Sequence, residues 1–492
     1  MDFRKQTLSG LGWSGTSQVV RQVITLAISV FLARLLSPKE FGLIGMVTVF
    51  TGFANIFTEM GLGSALIQKA DLEPRHLNAV FWSNVAVGFG LTLIAVTGAR
   101  FVADFYNSPA LRSLTMVIGL NFFLGSLNVV QNALLHKQME FRRIAIIENV
   151  AVFTSGFLAI GLALAGTGVW SLVAQSLLLT LISVLMMWQH SKWRPVFSID
   201  WKSLKELLGY SLNLLGFNIL NYWVRNLDKV LIGRFVGSSA LGVYARAYSL
   251  MLLPINEVTS VLTRVMFPAL STIQGDIEKV KSIYLRSTKI LSLVTFPIMV
   301  GLLVVARPFV LTVFGEKWVE VIPILKVLCL LGLGQSIATT VGWIYTSQGR
   351  TDLMFRWGAF AGLVYWIAII IGLHWGVLGV AWAYTLSCYI ILWYPSWAIP
   401  GRLINLSFTE MMKNLSSAFF CAVAMGFAIL LIGFLLPPNW PQWVFLFVKV
   451  IFGFIIYWSL IHIFGLEAYQ EIRKLLIEQI RIRFHPSPNY IA

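Results

Sequence analysis

Residues 33–45 read ARLLSPKEFGLIG, and residues 233–245 read GRFVGSSALGVYA. At an offset of 200 residues, Arg34 falls on Arg234 and Gly42 on Gly242. Aliphatic or aromatic residues lie opposite one another at 35, 36, 41 and 43. Each stretch joins two long apolar segments. Weaker matches follow in the same order: Gly168-Val169-Trp170 with Gly376-Val377-Leu378, and QNALLHKQMEF (131–141) with YTSQGRTDLMF (345–355). Apolar segments that repeat over half a chain's length build two packed lobes with a cleft between them, an architecture of transporters more than of enzymes.

The surrounding composition fits lipid. Hydrophobic residues make up 58% of the 492, charged residues 12%, and mean hydropathy is +0.79. Soluble domains carry about 25% charge, which excludes a soluble protein here. The apolar runs are about 20 residues long, the length that crosses about 30 Å of hydrocarbon as a helix. Barrel strands would instead alternate over about 10 residues. The expected fold is therefore all-α and polytopic, with fourteen spans near 11–33, 41–67, 78–99, 111–135, 145–166, 168–189, 207–232, 243–271, 288–313, 321–347, 354–373, 376–399, 415–436 and 442–464. Two of the breaks, at Gly166–Gly168 and His374–Gly376, need only tight glycine turns.

These spans group into an N-lobe of six helices (1–190), a Trp-bearing inter-lobe loop (191–206), a C-lobe of six helices (207–400), two further helices (401–465) and a basic amphipathic tail (466–492). Six is even, so both lobes enter the membrane in the same direction and the repeat is parallel. Most of the 37 Lys and Arg fall in segments that are cytoplasmic if the N-terminus is inside. That orientation puts both termini in the cytoplasm. The net charge of +16 then reflects topology and anchoring to anionic lipid. Scattered over short loops, it does not suit nucleic acid. The N-terminal apolar run is too long for a cleaved signal. Cys329, Cys388 and Cys421 lie in spans, and no His/Cys spacing suggests a metal site.

Charges inside spans cost about 3 kcal/mol each, so they face a cavity or a partner. Ser14, Gln18, Arg21, Thr25 and Ser29 recur every three or four residues on one face of the first helix. Asn218, Asn221, Arg225 and Asp228/Lys229 do the same on the seventh. The 200-residue offset superposes Gln18 on Asn218, Arg21 on Asn221, Thr25 on Arg225 and Ser29 on Lys229. Matching polar stripes imply a wet, net-basic cleft. The second helix of each lobe adds Asn55 and Glu59, and Glu257 and Arg264. The candidate cavity residues are Gln18, Arg21, Asn55, Asn218, Asn221, Arg225, Lys229 and Arg264, with Glu59, Asp228 and Glu257 as candidate cation-coupling acids. Alternatives stay open: Arg225, Asp228 and Lys229 can neutralise one another along one helix, Glu59 can be interfacial, and Arg264 can pair with Glu257 or Glu59. Arg21 has no acid on its own helix, which makes it the first candidate for an anionic ligand. A guanidinium binds phosphate through two charge-assisted hydrogen bonds at once. Tyr222, Trp223, Tyr244 and Tyr248 can stack on sugar rings or form an interfacial belt.

The runs ARLLSPKEFGLIG, Glu59-Met-Gly-Leu-Gly63, NLDKVLIGRFVGSSALGVYARAY (226–248) and GTGVWSLVAQ (166–175) resemble the Wzx-like polysaccharide transporter family of the multidrug/oligosaccharidyl-lipid/polysaccharide (MOP) exporter superfamily. Within it, the chain looks most similar to exporters of exopolysaccharide repeat units such as those of colanic acid. The resemblance implies a substrate, an oligosaccharide on undecaprenyl pyrophosphate, moved across the bacterial inner membrane by alternating access. It also implies a cationic cavity fitted here by Arg21, Arg225, Lys229 and Arg264, no cofactor beyond an H+ or Na+ coupling ion, and polymerase and glycosyltransferase partners. Rival readings are a lipid II flippase and a multidrug-extrusion (MATE-type) antiporter. A membrane enzyme is disfavoured, because no HxxxxD, DxD or metal-ligand cluster is present.

Overall fold

The computed structural model describes residues 3–59, 62–69, 71–198, 219, 222–223, 225–471 and 473. Every element among them is helical. In chain order they are α1 (Phe3–Leu35), α2 (Pro38–Glu59), α3 (Leu62–Gln68), α4 (Pro74–Phe105), α5 (Ala110–Ser126), α6 (Val129–Lys137), α7 (Phe141–Leu164), α8 (Val169–His190), α9 (225–235), α10 (Ser238–Thr272), α11 (Ile277–Val313), α12 (Val321–Ala338), α13 (Val341–Ser347), α14 (Thr351–Gly372), α15 (Gly376–Ser387), α16 (Trp393–Gly401), α17 (Phe408–Leu435) and α18 (Gln442–Ile463). Ten helical stretches among the described residues are long and apolar enough to cross a bilayer, or eleven if the pair α5–α6, bent by 42°, is one span. One of the ten, Thr351–Ile404, runs for 54 residues but folds back so that α14 packs on α15. Asn218 and Asn221, most of the span expected at 207–232, the end of the inter-lobe loop (199–206) and the tail from 474 onward lie outside the described residues.

The chain forms two compact units, Met1–Ala245 and Arg246–Ala492, and the division falls inside α10. Local chemistry sets the helix ends. Pro38 opens α2 at a position where no N–H is needed. Just before it, the Ser37 N–H and hydroxyl both donate to Glu40 Oε2, at 2.6 and 2.8 Å. SPKE thus makes the Glu half of a capping box, and SFTE at 407–410 makes both halves ahead of α17. Gly166 and Gly168 take φ of 81° and 58° between α7 and α8, and Gly376 takes 67° at the head of α15.

The repeated motif has a structural meaning inside the first unit. Its two glycines pack backbone to backbone. A Cβ on Gly42 would overlap the Ser238 carbonyl, and one on Gly242 would overlap the Pro38 carbonyl. Small residues allow this approach between helices in lipid, where no hydrophobic force drives them together. Elsewhere in this unit, Ile28, Leu32, Leu36, Ala159 and Leu172 form a buried cluster joining α1, α7 and α8. Leu62, Leu66, Val80, Phe81 and Val130 join α3, α4 and α6.

The second unit has one large core, in which α11 packs against α12, α17 and α18. The Tyr284 hydroxyl and Thr340 Oγ1 are 2.9 Å apart and fully buried. Asn414 donates to the Leu285 carbonyl at 2.9 Å, and the Tyr457 hydroxyl to the Leu293 carbonyl at 2.8 Å.

Candidate functional site

In the first unit Arg21, from the polar stripe of α1, meets α7. Arg21 Nη1 donates to Glu148 Oε2 at 2.5 Å, with the two side chains 40% and 43% exposed. One turn earlier on α1, Ser17 Oγ accepts from Asn149 Nδ2 at 2.6 Å. Gln18 is half-buried beside them. Glu148 and Asn149 interrupt an otherwise aliphatic run, IAIIENVAVF (144–153). The seam does not depend on the ion pair alone. Gly156 on α7 lets the Ile28 side chain close onto the helix backbone, where any Cβ would collide with it. The face carries one carboxylate, one guanidinium and three neutral polar groups, on two helices apolar enough to cross a bilayer. A guanidinium has five N–H donors, and among the described residues Glu148 engages one Arg21 nitrogen. The remaining fork can take a second anionic ligand.

α9 separates its charges. Asp228 is buried, accepting from the Tyr244 hydroxyl at 2.9 Å and from the Lys229 N–H at 2.8 Å. Lys229 Nζ instead donates to Asn226 Oδ1 at 2.9 Å. Asp228 therefore ties α9 to α10, while the ammonium turns to its own helix, and Arg225 stands exposed. Asn55, on α2, is also exposed, and the side chain of Glu59 lies outside the described set. In the second unit Glu257 on α10 is half-buried, and the Arg264 side chain is again undescribed.

Tyr222, Trp223 and Tyr244, three of the candidate stacking aromatics, pack as follows. The Tyr222 hydroxyl donates to the Val49 carbonyl at 2.6 Å. Trp223 lies with its ring 5.1 Å from that of Phe53, and Tyr244 is buried on Asp228. Two arginines of the repeat region cover aromatic rings: Arg234 lies 5.6 Å from the Phe105 centroid, and Arg246 5.2 Å from that of Trp318. Among the described residues no group of three His, Cys, Asp or Glu could hold a metal ion.

Residues 31–323 match the family model described as "Polysaccharide biosynthesis protein". The match spans more than half of the chain and includes both copies of the repeat. The chain belongs to this family. Two relatives share its length as well as its pattern. The teichuronic acid biosynthesis protein TuaB of Bacillus subtilis is 29% identical over 426 residues, 86% of this chain and 88% of its own. The lipopolysaccharide biosynthesis protein WzxC of Escherichia coli is 29% identical over 377 residues, 76% of each chain. Among solved structures, the lipid II flippase MurJ in its inward closed conformation superposes with a TM-score of 0.73 at 16% identity, over 93% of this chain and 99% of that one. At that identity the likeness speaks for the fold.

This member of the polysaccharide biosynthesis family has ten or eleven helical stretches able to cross a bilayer among its described residues, the build of a multi-pass membrane protein. The residue missed by reading the family-like motifs is Glu148. Its signal was available, since an acid in the middle of an aliphatic span requires a partner. The expectation that Arg21 has no acid on its own helix holds, but the acid comes from α7.

Proposed function

We propose that the protein is a flippase that moves undecaprenyl-pyrophosphate-linked oligosaccharide repeat units from the inner to the outer leaflet of the bacterial cytoplasmic membrane. Fourteen spans in two parallel six-helix lobes plus two C-terminal helices, with both termini in the cytoplasm, suit this task. The head of such a lipid cannot enter about 30 Å of hydrocarbon unaided, so polar side chains must stand in for water while the tail remains in lipid. The observation that carries the reading is the half-exposed Arg21 fork on the polar stripe of α1, in a chain of this family. Arg225 and Lys229 supply further positive charge from α9, and Arg264 would do so from α10. Coupling to H+ or Na+ through Glu59 or Glu257 belongs to the proposal, as do polymerase and glycosyltransferase partners and anionic lipids around the basic segments. Asp228 is the weaker coupling candidate, because its carboxylate is spent on the Tyr244 hydroxyl and the Lys229 N–H.

Deletion in the host tests the reading. Lipid-linked oligosaccharide trapped on the inner leaflet, with loss of surface polysaccharide restored by the wild-type gene, is the expected result. Drug hypersensitivity with normal surface polysaccharide would instead select the antiporter reading. Arrest of peptidoglycan synthesis would select the lipid II reading.

A further inference from the structure

We propose that Glu148 is an internal competitor for the anion that Arg21 binds. It neutralises the guanidinium between transport events and gives way when the anionic head of the substrate arrives. This inference rests on the flippase reading and adds the device that lets Arg21 release its cargo.

Three observations carry it. First, an unpaired charge at membrane depth is costly, so Arg21 needs a counter-ion whenever no substrate is present, and Glu148 supplies one from a different helix. Second, the pair is built to part. Contact is made through one guanidinium nitrogen and one carboxylate oxygen, and both side chains are about 40% exposed. A bidentate, fully enclosed pair would hold the arginine permanently. A single-point, half-open pair leaves the fork accessible to a phosphate or a carboxylate that can take two donors together. Third, the α1–α7 seam is secured independently. The Asn149–Ser17 hydrogen bond and the cluster of Ile28, Leu32, Ala159 and Leu172 remain when the ion pair opens. The pair can therefore break without separating the helices.

A purely structural salt bridge and an internal competitor predict opposite signs. In Glu148→Gln the side chain keeps its shape and loses its charge. The full chain, purified into nanodiscs, is titrated with undecaprenyl pyrophosphate and, separately, with glucuronate beside neutral undecaprenol. Glu148→Gln should bind one of the two anions about fivefold more tightly than wild type, the gain expected when a half-exposed ion pair of up to about 1 kcal/mol no longer competes. Tighter pyrophosphate binding places the linkage at Arg21, and tighter glucuronate binding places an acidic sugar there. Export should slow in the same variant, because release is hindered. Unchanged or weaker binding of both anions overturns the proposal. If Glu148→Gln fails to accumulate, Glu148→Asp takes its place, since a carboxylate withdrawn by one methylene should also tighten anion binding, and weaker or equal binding again overturns it. Arg21→Ala separates the two levels. If it binds both anions as wild type does, the Arg21 reading fails. If it loses binding while the Glu148 variants show no gain, only the competitor fails.

Discussion

The seam between α1 and α7 in the first unit and the seam between α11 and α17 in the second join long membrane helices in different ways. In the second, the polar groups are used up. Asn414 of α17 is bonded to the Leu285 carbonyl of α11, and elsewhere on α11 Tyr284 is paired in full burial with Thr340, at the head of α13. Its ion pairs, Lys281–Glu410, Arg286–Glu471 and Lys289–Glu467, tie α11 to the start of α17 and to the segment after α18. In the first seam a guanidinium and a carboxylate meet at a single point and stay half open. Arg286–Glu471 is as open, so openness alone does not separate the two seams; what does is place, since Glu148 lies within an apolar helix, whereas Glu467 and Glu471 lie beyond α18 and Glu410 at the head of α17. On the proposed function, the α11 seam supports the unit and the α1 seam meets the substrate.

The strongest attempt to break that contrast is Arg21→Ala. Export should fall at least tenfold, as expected from losing charge-assisted hydrogen bonds of about 1.5–3 kcal/mol each, while the amount of protein in the membrane stays normal. Polysaccharide release and a membrane immunoblot measure the two sides. Next comes Gly42→Val, which leaves the seam intact but forces backbone from backbone at the crossing with Ser238. Overpacking of about 1–3 kcal/mol or more should lower the thermal midpoint and the yield together. Tyr284→Phe tests the supporting core around α11. Losing the Thr340 hydrogen bond should cost about 1 kcal/mol, visible as a lower melting temperature, with export per folded molecule unchanged. A transport defect out of proportion to stability would contradict the assignment of roles. The smallest effect belongs to Lys449→Leu on α18. The Lys449 side chain lies along Gly433 of α17, and export should remain within about twofold of wild type, as expected of a snorkelling side chain. Export lost at normal abundance would show that the second unit also holds a cation in use.

Much of this was legible in the chain. The apolar runs mark the helices, the Gly166 and Gly168 break needs positive φ and has it, and the offset repeat aligns Gly42 with Gly242, whose helices cross backbone to backbone. Three features were not legible. The pairing of Arg21 with Glu148 spans 127 residues, and periodicity within one helix cannot say which helix it will face. The bend between α5 and α6 arises inside a run that reads as one continuous span (111–135). The ring contacts of Trp223 and the hydroxyl bond of Tyr222 depend on which side of α2 the chain returns to, so belt, stacking platform and packing looked alike in sequence.

The crossing at Gly42 and Gly242 has a genetic corollary. Each position already carries the smallest possible side chain, and each is blocked by main-chain carbonyl oxygen rather than by a removable group. A lesion at one glycine therefore has nothing at the other to trim. Suppressor screens starting from either substitution should return revertants, or changes that shift a whole helix, and never a reciprocal replacement at its counterpart.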